Sequence, residues 1–243
     1  MKITDQISTG GQAYFRRRSY LPLLLLPLVA AGAIDAARAP RPFFFSPAWQ
    51  ACSLAVSLAG LALRVWIVGT APRGTSERST TAPRAQQLNT LGAYSLVRHP
   101  LYVANTLVAL GPAMLTGAWA LPIILVLASL LYHERIAGAE EAFLERTFGE
   151  SFRRWAGEVP AWVPRLGGYR PPVERFSAAR ATGELHALVV IVTVMLLVRA
   201  LQQWVVTGRA AVGPAWTRVG AACWAVFLVY AAIKKTQKAL RSS

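Results

Sequence analysis

The sequence predicts an all-α, polytopic transmembrane helical bundle, and three observations carry that prediction. Hydrophobic residues make up 54% of the 243, and only 15% are charged, where a soluble domain carries about 25%. Apolar runs recur along the whole chain. Lys and Arg, which give a formal net charge of +15, sit in the gaps between those runs. Lipid is therefore the first solvent to consider. The chain reads as one membrane domain over 1–243, with short polar connections and no separate soluble domain.

The apolar runs fall at about 21–34, 48–68, 101–115, 118–132, 185–206 and 215–233, giving about six spans by the ~20-residue length of a spanning helix. The first run follows Arg16–Arg18 and precedes Ala37-Arg38-Ala39, a pattern that also fits a cleaved signal peptide and would leave five spans. The third and fourth runs are separated only by Thr116 and Gly117. They read as a tight helical hairpin with Gly111, Pro112 and Gly117 near its tip. The last two runs are two additional C-terminal transmembrane helices over 185–233.

Basic residues concentrate in the N-terminal segment, the connections 71–100 and 134–184, and the C-terminus. Those regions share one side if every run spans, whereas the other side has Arg38, Arg41 and Arg209. The positive-inside rule then makes both termini cytoplasmic, in a bacterial inner membrane. The same dispersal argues against nucleic acid as a partner, because no single polar stretch gathers the charge. Cys52 and Cys223 lie in separate apolar runs without CxxC spacing; they read as small buried side chains, with neither a disulfide framework nor a metal site. The stretch 71–91, rich in Thr, Ser, Arg and Pro, reads as a mobile loop.

Polar groups at the membrane edge are costly, which makes them candidate functional groups. One cluster is Arg98-His99-Pro100-Leu101-Tyr102, directly before the third run. Pro100 suits the first turn of a helix, where a missing N–H costs little. His99 then falls near the N-cap, and the helix N-terminus suits a carboxylate on a small ligand. Arg98 as a snorkelling anchor and Tyr102 as an interfacial belt residue are the structural alternatives.

The second cluster opens with Glu140-Glu141, followed by Leu144, Phe148, Phe152 and Trp155 at helical spacing. That stripe predicts a cytoplasmic amphipathic helix, relaxed or ended at Gly149. The Glu pair could equally complement that helix's dipole. The hairpin returns the chain to the same membrane face, so both clusters meet there. Cationic, neutral and acidic groups at one bilayer edge suit a zwitterionic, cation-bearing ligand better than a metal.

These residues resemble the isoprenylcysteine carboxyl methyltransferase and phospholipid methyltransferase superfamily of membrane enzymes. The likeness rests on Gly92-x-Tyr94-x-x-x-Arg98-His99-Pro100-x-Tyr102, the hairpin, and Glu140-Glu141-x-x-Leu144-x-x-x-Phe148-Gly149-x-x-Phe152-x-x-Trp155. The Pro-bounded stretch from Val159 to Pro164 closes it. Residues 90–166 would then form a cofactor-binding core. The resemblance implies methyl transfer from S-adenosyl-L-methionine to a lipid or a prenylated or otherwise hydrophobic acceptor. It assigns Arg98, His99, Pro100, Tyr102, Glu140 and Glu141 to the cofactor pocket, and no catalytic base is named. Ala104, where the family often carries Gly, and the three residues between Ile136 and Glu140 depart from the pattern on the acceptor's side.

Two other classes compete with this reading. An NADPH-dependent membrane reductase of the sterol reductase kind would set Glu140 and Glu141 against the cofactor's 2′-phosphate. A non-enzymatic membrane protein would keep the motif for folding alone. A transporter is disfavoured, since no inverted repeat is visible and ionisable residues in the runs are few: Asp35, Arg64, Arg199 and Arg218.

Overall fold

The computed structural model describes residues 24–72 and 86–242, and all regular structure among them is helical. The long elements are α1 (Leu26–Arg38), α2 (Pro47–Thr70), α3 (Pro100–Leu115), α4 (Ala120–Phe148), α5 (Glu150–Glu158), α6 (Leu185–Thr207) and α7 (Pro214–Ser242). Residues 1–23, including Lys2 and Arg16–Arg18, and residues 73–85 of the polar connection lie outside the described residues.

Local chemistry sets the helix ends. Ser46 caps α2 by accepting from the Trp49 N–H at 3.2 Å, with Pro47 in the first turn. His99 is the residue before α3, and Pro100 occupies its first turn, as the motif predicts. α6 stops at Gly208, whose φ of 70° is left-handed, a conformation glycine adopts without a Cβ clash.

Four described helices are long and apolar enough to cross a membrane: α2, α4, α6 with the turn before it, and α7. Of the about six expected runs, the other two are the one in α3 and the one that leads into α1. The 16-residue α3 ends at the hairpin turn, where Gly117 takes a φ of 75°. The first expected run, 21–34, lies partly outside the described residues, and α1 ends before Pro40 and Pro42, which cannot continue it. The all-α membrane bundle stands, with four spans by this criterion among the described residues and the shorter apolar α3 beside them.

α2 and α3 pack together more extensively than any other pair of elements. Small residues make this possible. Ser53, Ser57 and Gly60 line one face of α2, and both serines are fully buried. A Cβ on Gly60 would lie 2.7 Å from the Val108 nitrogen, and one on Gly111 would strike the Ser57 hydroxyl and the Ser53 carbonyl. Close backbone approach through small residues is how helices associate in lipid, where apolar burial alone gives little drive. Ser57 Oγ adds a hydrogen bond to the Val108 carbonyl at 2.8 Å.

The main core draws Val29 and Ala33 from α1, Leu61 from α2, Leu115 from α3, Leu125 from α4 and Met195 from α6. Cys223 is buried, but Cys52 is exposed on α2. That corrects the expectation for Cys52, which lies about 100° around α2 from the buried Ser53–Ser57–Gly60 stripe.

The second half of the site corrects another expectation. The fourth apolar run and the start of the amphipathic stripe form one continuous 29-residue helix, α4. Glu140 and Glu141 therefore stand well inside it and do not open a new helix. The break comes at Gly149, with φ 52°, and α5 follows. Leu144 and Phe148 on α4 still pack in one cluster with Phe152 and Trp155 on α5.

Candidate functional site

The site sits where the N-terminus of α3 meets the polar half of α4. Glu141 accepts from Arg98 Nη1 at 3.0 Å and pairs with His99 Nε2 at 2.7 Å. Glu140 accepts from the Tyr102 hydroxyl at 2.7 Å and stands 3.9 Å from His99 Nδ1. The hairpin thus brings together the six residues singled out in the sequence. Pro100 does its part by backbone geometry, starting α3 so that His99, Arg98 and Tyr102 face α4.

Burial divides the group. His99 and Pro100 are buried, whereas Arg98, Glu140 and Glu141 keep about a quarter of their side-chain surface or a little less. The carboxylates are reachable from water but held by donors. Arg98 Nε is buried without a hydrogen-bond partner among the described residues. An unsatisfied buried donor on a charged group costs free energy unless something else binds it.

Aromatic rings form one wall. Tyr102 stacks on His133 of α4 at 4.6 Å and 13° between planes, and His99 lies 5.4 Å from Trp162. A negative carboxylate pair beside stacked ring faces favours a cationic guest. Just outside, burial and the Glu140 charge push the Tyr94 phenol above its ordinary pKa, so it remains a neutral hydroxyl at physiological pH.

The chain after α5 locks the motif in place. Arg98 N–H donates to the Pro160 carbonyl at 2.8 Å and Arg165 N–H to the Leu96 carbonyl at 3.0 Å. Gly92 N–H donates to the Arg170 carbonyl at 2.8 Å, and Trp155 Nε1 to the Tyr94 carbonyl at 3.1 Å. An open cavity of about 310 Å³ borders this junction, lined by Ser95, Glu158, Arg165, Tyr169 and Arg170 among others. It lies beside the six-residue cluster and does not include it.

Sequence reasoning missed His133, which carries no motif signal: a lone His after Tyr132 shows its role only when α4 packs against Tyr102. It also missed Glu184. Arg64 on α2 donates through Nε to Glu184 at 2.8 Å and also bonds Asn105 on α3. Arg64 was visible as a charge inside an apolar run, but the run gives no hint of a partner 120 residues away.

A membrane helical bundle with paired carboxylates, an Arg and a His where α3 meets α4 is the class that fold and site define. Residues 51–151 match the family model described as phospholipid methyltransferase, and the resemblance to the isoprenylcysteine and phospholipid methyltransferase superfamily holds. The chain is 43% identical over 83 residues to the cobalt-zinc-cadmium resistance protein CzcN of Cupriavidus metallidurans, covering 34% of this chain and 38% of that protein. Over 87 residues it is 38% identical to the nickel-cobalt-cadmium resistance protein NccN of Alcaligenes xylosoxydans xylosoxydans, covering 36% and 40%. The protein-S-isoprenylcysteine O-methyltransferase of Schizosaccharomyces pombe is 35% identical over 79 residues, covering 32% and 34%. The matched stretch therefore spans well under half the length of each of these relatives. No solved structure gives a significant match.

Proposed function

We propose that the protein is an S-adenosyl-L-methionine-dependent methyltransferase acting on a lipid or lipid-linked acceptor at the cytoplasmic membrane face. The observation that carries the proposal is the meeting of Glu140 and Glu141 with Arg98, His99 and Tyr102 across the α3–α4 hairpin. The match of residues 51–151 to a methyltransferase family model supports it. The cytoplasmic assignment rests on the distribution of Lys and Arg.

The donor set fits the cofactor's chemistry. S-Adenosyl-L-methionine offers a carboxylate, an ammonium, ribose hydroxyls and a sulfonium, and it supplies an electrophilic methyl group when bound. Arg98, with its unpartnered Nε, and the N-terminus of α3 would hold the carboxylate. Glu140 or Glu141 would pair with the ammonium or the ribose hydroxyls. The ring wall of Tyr102, His133 and Trp162 would shape the pocket and keep water from the reacting atoms. Methyl transfer needs positioning and dehydration more than acid–base catalysis, so no residue is assigned as a base.

The test is calorimetry of the purified protein in nanodiscs with S-adenosylhomocysteine. Binding is expected, and Glu140→Ala with Glu141→Ala should abolish it. Binding of NADPH instead, or of neither ligand, would sink the proposal. Lipid extracts incubated with radiolabelled cofactor would then identify the acceptor by which lipid acquires the label.

A further inference from the structure

The stretch from Val163 to Phe176 has an unusual surface. Val163, Leu166 and Val173 are about four-fifths exposed, and Phe176 about half. Such residues cost free energy in water, and a cluster of them marks a surface that meets something apolar. Cations alternate with them. Arg170 is tied to Glu158 at 2.9 Å, whereas Arg165 and Arg175 are exposed and have no ion-pair partner among the described residues. The depth of the stretch is set by two contacts. The Tyr169 ring lies 6.2 Å from Trp66 in the last turns of α2. Ser177 N–H donates to the Gly69 carbonyl at 2.8 Å, with the Phe176 ring over Gly69. It therefore lies at the level where α2 leaves the bilayer, the level of aromatic interfacial residues.

We infer that residues 163–176 form an interfacial strap that binds anionic phospholipid, with Val163, Leu166 and Val173 in the acyl boundary and Arg165 and Arg175 on the lipid phosphates. Apolar side chains alternating with unpaired cations at headgroup depth complement a negatively charged leaflet. A purely apolar loop would ask for acyl chains alone, and a purely basic one for a soluble anion; only a charged lipid supplies both. The backbone bonds from Arg165 to Leu96 and from Gly92 to Arg170 carry the strap's position directly to the segment that holds Arg98. The inference does not depend on methyl transfer.

The test places an environment-sensitive fluorophore at Val173→Cys in a Cys52→Ala, Cys223→Ala background. The full chain is reconstituted in mixed vesicles containing either brominated phosphatidylglycerol or brominated phosphatidylcholine. Quenching is expected to be stronger with brominated phosphatidylglycerol. Arg165→Gln and Arg175→Gln should each lower that preference by up to about fivefold, from roughly one lipid-facing cation apiece. Equal quenching by the two lipids would overturn the inference, as would quenching by neither, which would place the strap in water. A preference that survives both Arg substitutions together would overturn it as well. Monodisperse gel filtration of each variant in detergent separates these outcomes from misfolding.

Discussion

At the residue scale, the site consists of groups that satisfy one another only in part. Tyr102 gives its hydroxyl to Glu140 and its ring face to His133, so the two contributions can be separated. Tyr102→Phe keeps the stack and removes the donor. It should weaken S-adenosylhomocysteine binding about fivefold, the effect of one hydrogen bond of about 1 kcal/mol to a partly exposed carboxylate. Tyr102→Leu, which removes the ring as well, should weaken it further; equal affinities for the two variants would mean that the stack contributes nothing. Arg98→Ala should reduce the same affinity by about tenfold, the lower range for a charge-assisted contact. Reporter fusions at the C-terminus should at the same time show unchanged topology. An inverted reporter would make Arg98 a topological anchor and remove it from the site.

These residues were legible in the sequence because each belongs to a local pattern. His99 and Pro100 announce a helix start by chemistry confined to two neighbours, and the hairpin fixes where the Glu pair returns. His133, Asn105 and Glu184 were not legible as partners. Their roles depend on which face of one helix meets another, and the sequence of a helix that is apolar nearly all round does not state that face. Helix length was less legible: an apolar run predicts a helix, but the Gly117 turn decides where α3 ends.

At the element scale, the α2–α3 crossing is the scaffold on which the N-terminus of α3 is aimed. Its closeness depends on the absence of side chains at two positions. Gly60→Ala would set a Cβ 2.7 Å from the Val108 nitrogen and 2.8 Å from the Ala104 carbonyl. Neither atom belongs to a flexible side chain, so the helices must separate, at a cost of about 1–3 kcal/mol by the usual penalty of overpacking. Gly157→Ala on α5 meets open space and should be neutral or stabilising by up to about 1 kcal/mol, since it lies inside a helix. Thermal unfolding in detergent compares the two directly. A Gly60→Ala protein as stable as the Gly157→Ala protein would show that the crossing tolerates separation and does not set the fold.

At the scale of the whole molecule, the open structural question is how α6 and α7 are joined to the part of the chain that matches the methyltransferase family. Apolar contact is one answer, because Ile191, Met195 and Val198 enter the main core. The other is polar: Glu184, only 3% exposed, lies just before α6 and holds Arg64 of α2, which in turn holds Asn105 of α3. A pair of this kind is weak evidence for stability in itself, since dehydrating both charges offsets much of their attraction. Breaking it from one side is different. Glu184→Leu leaves the Arg64 guanidinium without its carboxylate and should destabilise the protein by roughly 2–3 kcal/mol, below the fully buried range because a quarter of Arg64 remains exposed. Replacing both, with Arg64→Met and Glu184→Leu, should restore part of that loss, because two apolar side chains of similar size carry no dehydration cost while Asn105 loses its Arg64 donor. Unfolding midpoints of the two single variants and the double variant in one detergent measure the coupling. If the double variant loses as much as the singles combined, the two residues act independently, and this pair does not couple α6 to α2.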